Sequence, residues 1–403
     1  MMGLRLGFHY HTPLYRDPAG RLLTPGGQGR FIEGLAGACD RVVCFLHSPR
    51  EQEIPYMDYE LTAPNISHVD IGPHASVPRR MLQPGRFVKP VVDRRDEIDV
   101  LLVRGPSPLL AHMAHAHPDL PVVLLLVGDY MRGVDDLPQP FWRKELIRLW
   151  AGYNKRQQIN AARRTLTFVN SRQLYDELKG LVPALRETRT TTLTAADFYE
   201  REDTCHATPY HLLYTGRMDR TKGLFQMAEA VNILTQQGED VILDLVGRPE
   251  QGDPILDEIM AYAHDHAITD RIRYHGFKTV GPELFRYYQE ADIYVLASLG
   301  SEGFPRTIWE ALAHSLPVIA TRVGSIPLFL QDGHDVMLVE PRSSTALAAA
   351  VRQLIHDPAR RRAQIAAGLE TVRQNTLENR SRELVAAITD WLRERGKSAA
   401  VTS

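Results

Sequence analysis

Short runs of β-branched and leucine-rich residues recur along the chain, with longer amphipathic stretches between them. In the first half they are GLRLGFHY, RVVCFLH, IDVLLVRG, PVVLLLVG and TLTFVN; in the second, HLLYTGRM, VILDLVG, RIRYHGF, ADIYVLAS, PVIATRVG and DVMLVE. Strands that are apolar at consecutive positions are buried on both faces, the condition of a parallel sheet covered by helices on each side. The pattern predicts an α/β protein with two doubly wound, Rossmann-like domains. Their boundary is expected near residues 196–209, where Asp197, Glu200, Glu202 and Asp203 precede Pro209 with little apolar periodicity. This gives a first domain over 1–200 and a second over 201–375. Residues 376–403 read as a C-terminal helix expected to pack back toward the first domain.

Size agrees with two cores: the chain has 403 residues, 44% of them hydrophobic. Its 47 Lys and Arg nearly balance 49 Asp and Glu, so it lacks the global basic field of a nucleic-acid-binding protein. Cys39, Cys44 and Cys205 are odd in number and lack metal-ligand spacing; they read as inert thiols in a reducing compartment. The start does not resemble a signal peptide, and no apolar run approaches the roughly 20 residues of a bilayer-crossing helix. The expected location is the cytoplasm or the inner face of a membrane. A peripheral membrane contact is one reading of residues 141–172, where eight Lys and Arg face Glu145 alone and Trp142 and Trp150 are interleaved. A solvated basic helix with core-facing aromatics is the other.

The stretch SLGSEGFPRTIWE follows a strand and leads into a helix. It falls at a strand's carboxyl end, where ligands collect in open α/β sheets, and Gly303 with Pro305 lets backbone approach a ligand. Glu302 and Glu310 can point to one cleft, where carboxylates accept hydrogen bonds from sugar or ribose hydroxyls; a capping acid and a solvated helix residue are the plainer readings. Earlier, YTGRMDRTKGLF places Gly216, Arg217, Lys222 and Gly223 between a strand and a helix. Two cations flanking one turn would neutralise a diphosphate leaving group, or form a basic loop with no ligand. No Gly-x4-Gly-Lys-Ser/Thr pattern is present, and no Asp-x-Asp or His/Cys/Asp cluster suggests a metal site. His112, His115 and His117 are placed on a helix, where they cannot share one face. His9 and His11 end the first strand and read as structural. Residues 50–95 carry no mechanism-bearing motif.

From about residue 211 to 341 the order of these elements resembles the donor-binding domain of the retaining glycosyltransferases of family four, group 1, which have the GT-B fold: two Rossmann-like domains facing across a cleft. The resemblance implies a nucleotide-sugar donor, a sugar, lipid-linked or small-molecule acceptor, and no metal or other cofactor. Arg217 and Lys222 match the diphosphate-binding pair; Glu302, with Gly303, Phe304 and Pro305, matches the donor-sugar contact; Glu310 matches the acid that holds the ribose. Gly276 and Phe277 match a region framing the base, and Gly216 the turn before the cations. The catalytic set so implied is Glu302, Arg217 and Lys222. The first half resembles the family more loosely, through Gly26 and Gly27, whose N–H groups could reach the donor phosphate, or form an ordinary turn. Two departures stand out: Gly128 and Asp129 where many relatives carry a histidine, and Leu328 where many carry a glutamate. Implied is front-face transfer in biosynthesis of cell-surface polysaccharide, glycolipid or a related glycoside. The alternatives are a noncatalytic nucleotide-sugar-binding protein and a GT-B-shaped nucleotide-sugar epimerase.

Overall fold

The computed structural model describes residues 3–128, 141–250, 252–300 and 304–401. It divides into two units, Met1–Thr192 with Leu377–Ser403, and Leu193–Thr376.

The first unit is built on a seven-stranded sheet. From one edge to the other run Leu185–Glu187, Leu166–Val169, Val122–Leu126, Val100–Gly105, Arg5–Pro13, Arg41–Ser48 and Ile66–Pro73, all parallel. Central strands read as continuous apolar runs because both faces are covered: all five residues of Val122–Leu126 are buried. Phe8 sits opposite Cys44 on one side and Leu102 on the other. One face of the core takes in Leu384, Val385 and Ile388 from the C-terminal helix Leu377–Val401. That helix lies against Gly26–Ala36, where a Cβ on Gly34 would come within 2.7 Å of Leu377 and Ser381. Tyr15–Arg16 and Leu22–Thr24, between the first strand and Gly26–Ala36, form a small antiparallel sheet with Tyr59–Leu61, which follows Arg41–Ser48.

The second unit carries six parallel strands in the order Ile272–Tyr274, Val241–Val246, Tyr210–Thr215, Ile293–Leu296, Val318–Thr321 and Met337–Val339. The order reverses between Tyr210–Thr215 and Ile293–Leu296, and at such a switch the loops leave the carboxyl edge in opposite directions and open a crevice. Side-chain caps start the later helices: Ser343 accepts from the Ala346 N–H at 3.1 Å and Asp357 from that of Arg360 at 2.9 Å.

Two local expectations change. The helix expected to hold three histidines runs only over Leu110–Ala114, so His115 caps it and His117 lies beyond. The chain adds strands at Ile66–Pro73 and Leu185–Glu187, both at sheet edges. The cysteines are unpaired; burial pushes the Cys39 thiol up to about 12 and that of Cys205 to about 11. Among the described residues no helix is long and apolar enough to cross a membrane.

Candidate functional site

In the second unit three neighbouring strands end in glycines joined backbone to backbone. The Gly216 N–H donates to the Val246 carbonyl at 3.0 Å, and the Gly247 N–H to that of Gly276 at 2.9 Å. A Cβ on Gly247 would lie 1.7 Å from the Gly216 oxygen, so the two turns touch only because neither carries a side chain there. Phe277 follows, 58% exposed, with the Arg248 guanidinium 4.9 Å from its ring centre. An open aromatic face backed by a cation is a platform on which a planar base can stack.

After Gly216 the chain turns through Arg217 to Lys222. The Tyr214 hydroxyl donates to the Arg217 carbonyl at 2.6 Å. Arg217 is held by Asp219 at 3.0 Å and Glu250 at 3.2 Å while its side chain stays 61% exposed. Asp219, nearly buried, also caps the short 3₁₀ turn Arg220–Lys222 by accepting from the Thr221 N–H at 2.9 Å. The turn closes on Gly223, left-handed at φ 69°, where a Cβ would lie 1.9 Å from the carbonyl oxygen of Ala297. The Leu299 N–H then donates to the Thr221 carbonyl at 2.8 Å. Through these two contacts the cationic turn and the loop after Ile293–Leu296 are held against each other.

That loop leads to the helix Arg306–Ala313, with Pro305 at its N-cap. Phe304 stacks on Trp309 at 4.3 Å between centroids, which anchors the helix entry in the core. Glu302 and Gly303 lie outside the described residues. Glu310 is buried, and its Oε2 accepts from the Tyr288 hydroxyl at 2.8 Å. Since that proton is committed, the Thr215 hydroxyl donates to the Tyr288 oxygen, 2.5 Å away. Burial, reinforced by the charge of Glu310, keeps the Tyr288 hydroxyl protonated far above the ordinary phenol range. His314 stacks on Tyr288, and its Nδ1 hydrogen-bonds the Glu310 carbonyl at 2.7 Å.

The second unit thus brings Gly216, Arg217, Lys222, Gly276, Phe277, Phe304, Pro305 and Glu310 to loops and a helix at one sheet edge. Sequence reasoning named these but missed their supports: Asp219, Glu250, Arg248, Tyr288 and Thr215. The acid after a Gly-Arg turn was a usable signal for Asp219; nothing in the sequence points from Tyr288 to Glu310. In the first unit the Gly26 N–H, considered as a phosphate donor, already donates to Asp58 at 2.8 Å; Gly27 lies in the first turn of the same helix. Asp129 lies outside the described residues, and Leu328 is 55% exposed. Among the described residues no group of three His, Cys, Asp or Glu could hold a metal ion.

Known proteins resemble the chain in sequence over the second unit and in fold over nearly its whole length. Residues 209–357 match the family described as Glycosyl transferases group 1. An amylovoran biosynthesis glycosyltransferase, AmsK of Erwinia amylovora, is 32% identical over 151 residues, 36% of this chain and 36% of that protein. A D-inositol 3-phosphate glycosyltransferase of Paenarthrobacter aurescens is 29% identical over 148 residues, 37% of this chain and 36% of its own. The chain therefore matches these relatives over little more than a third of their length. Among solved structures, HepE of Anabaena in complex with UDP aligns with 96% of this chain and 100% of its own, at TM-score 0.68 and 17% identity. Sucrose-phosphate synthase of Thermosynechococcus elongatus aligns with 98% of this chain and 99% of its own, at TM-score 0.65 and 20% identity. The fold is that of the GT-B glycosyltransferases, and the second unit contains a group 1 glycosyl transferase domain.

Gly223→Ala should destabilise the second unit by about 3 kcal/mol or more, because the new methyl meets a backbone carbonyl at a left-handed φ. Chemical denaturation of the two proteins side by side measures it; a loss below about 1 kcal/mol would show that the two loops are not locked at this point.

Proposed function

We propose that the chain is a retaining, metal-independent glycosyltransferase that moves a sugar from a nucleotide-diphosphate-sugar to an acceptor hydroxyl. The observation that carries the reading is the Gly223–Ala297 contact, which fixes the Arg217–Lys222 turn against the loop leading to the Glu310 helix. A diphosphate needs cations and a ribose needs a carboxylate, and one sheet edge supplies both.

In the reaction the bond from the sugar's anomeric carbon to the diphosphate breaks, and a bond to the acceptor oxygen forms on the same face. The departing phosphate oxygen takes the acceptor's proton. Charge gathers on the leaving group, where Arg217 and Lys222 stabilise it without a metal or a proton transfer. Arg217 is presented already oriented by Asp219 and Glu250, and a diphosphate would compete with Glu250 for its outer nitrogen. Glu310, held by Tyr288, accepts from the ribose hydroxyls, and Glu302 orients the donor sugar. The product belongs to cell-surface polysaccharide, glycolipid or a related glycoside.

A nucleotide diphosphate should bind the full chain without metal and be insensitive to chelator, with Lys222→Ala and Glu310→Gln each weakening it about tenfold. Calorimetry across a panel of nucleotide diphosphates and their sugars reads this directly. Binding of none of them sinks the proposal; donor isomerisation without acceptor points to an epimerase, and binding without turnover on a broad acceptor panel to a noncatalytic protein.

A further property concerns the helix Phe141–Ala162. Trp142, Leu146, Leu149 and Tyr153 follow helical spacing and are each more than half exposed, whereas Trp150 is partly buried and reaches Met81. Arg148 pairs with Glu145 and Lys155 with Glu177, so the basic field is weaker than the sequence count suggests, while the apolar stripe is stronger. We propose that this face rests on an anionic lipid surface. The protein should cosediment with phosphatidylserine-containing vesicles and Trp142→Ser with Leu149→Ser should release it; equal sedimentation of that variant would refute the contact.

A further inference from the structure

The carboxyl edge of the first unit's sheet holds a buried cation that pairs with no carboxylate among the described residues. Arg80, on the short helix Val77–Leu82, is 5% exposed, and its Nε and Nη1 find no hydrogen-bond partner. Four histidines from the neighbouring strand ends feel its charge: His9, His11, His47 and His74. The His47 ring lies 6.4 Å from that of His9 and 5.5 Å from that of His74. The nearby carboxylate, Glu53, is already engaged, accepting from the Arg50 N–H at 2.9 Å, the Arg50 guanidinium at 2.5 Å and His74 Nδ1 at 2.8 Å. The cluster's remaining charge, Arg104, lies over the rings of Tyr10 and Phe31.

The histidine hydrogen bonds settle what the cluster offers. Nδ1 of His9, His11 and His47 faces the carbonyls of Phe45, Pro106 and Gly72 at 2.9, 3.0 and 3.1 Å, so in the neutral ring Nδ1 carries the proton. Burial keeps these rings neutral: His9 and His11 are lowered to about 4 and His47 to about 3. Nε2 of His47 is then a buried lone pair with no partner, and so is that of His74, whose Nδ1–H donates to Glu53 and which burial pushes toward the neutral form. A desolvated guanidinium with unused donors is costly, and the compensation that suits its planar fork is an oxyanion taken bidentate. Two free acceptors beside it suit hydroxyl groups on the same molecule.

We propose that this cluster is an oxyanion site, in which the Arg80 guanidinium anchors a phosphate or carboxylate and Nε2 of His47 and His74 accept from adjacent hydroxyls. His11 and His74 are only partly buried, whereas His9 and His47 are fully enclosed. The site stands on the first unit alone. Naming its occupant as the acidic substituent of the sugar or polyol acceptor rests additionally on the glycosyltransferase reading.

The test titrates the full chain with inorganic phosphate, glucuronate and glucose, in the wild type and in Arg80→Met, which keeps most of the apolar stem. An anion should bind in the millimolar range and glucose should not; Arg80→Met should weaken the anion about tenfold or more, while nucleotide diphosphate affinity holds within about twofold. Phosphate binding alone identifies a phosphorylated occupant, and glucuronate binding alone a carboxylate one. Without its unpaired cation, Arg80→Met should also unfold at a temperature no lower than the wild type. Should the variant fold poorly, imidazole nitrogen resonances of the wild type decide: His47 and His74 shift on adding the anion. No anion binding up to about 50 mM, unchanged affinity in Arg80→Met, or binding that leaves both histidines unmoved overturns the site. Loss of nucleotide binding with anion binding intact would instead sink the donor reading.

Discussion

The contact between Gly223 and the carbonyl of Ala297 is the constraint on which the second unit's site depends. No other residue type fits at a left-handed φ with a backbone oxygen 1.9 Å from its Cβ position. From that point the structure closes on itself. The turn carries Lys222 back to Arg217 and Gly216; the opposing loop runs on to Glu310; Glu310 is tied through Tyr288 to Thr215, the residue before Gly216. Cations and carboxylate are thereby set by one circuit of packed backbone and buried hydrogen bonds rather than by separate flexible loops.

The two units use the same edge of the sheet in different ways. In the second, the two groups that would meet the donor already have partners: Arg217 has two carboxylates and Glu310 has its tyrosine. In the first, the charged group itself is left with unused donors, two nitrogens of Arg80, beside unused acceptors on His47 and His74. A preorganised site favours tight use of an invariant ligand part, such as a diphosphate and ribose. A site with unpaired groups gains most from whatever completes it, which suits recognition of one substituent that distinguishes an acceptor.

The sheets were legible because their central strands are apolar at consecutive positions; Val122–Leu126 is buried throughout. Ile66–Pro73 escaped because it is an edge strand whose Ser67, His68 and Asp70 break the apolar run, and Leu185–Glu187 because three residues carry no period. In the site, Arg217, Lys222 and Glu310 were readable as residue types at a strand-to-helix turn. The depth of Glu310 was not, since it depends on Tyr288 from a different helix, Pro282–Glu290. The first unit's cluster was the least readable. Glu53, His74 and Arg80 fall in the stretch without a motif, and only the sheet brings them beside His9 and His11, which the sequence leaves as structural histidines, and His47, which it does not single out.

The most direct measurement of the central claim is diffraction from crystals of the full chain grown with a nucleotide diphosphate. The account predicts the diphosphate within hydrogen-bonding reach of Arg217 and Lys222 and the ribose against Glu310, at the carboxyl edge of the second sheet. A nucleotide bound elsewhere, or at that edge with its phosphates away from the Gly216–Gly223 turn, would contradict it.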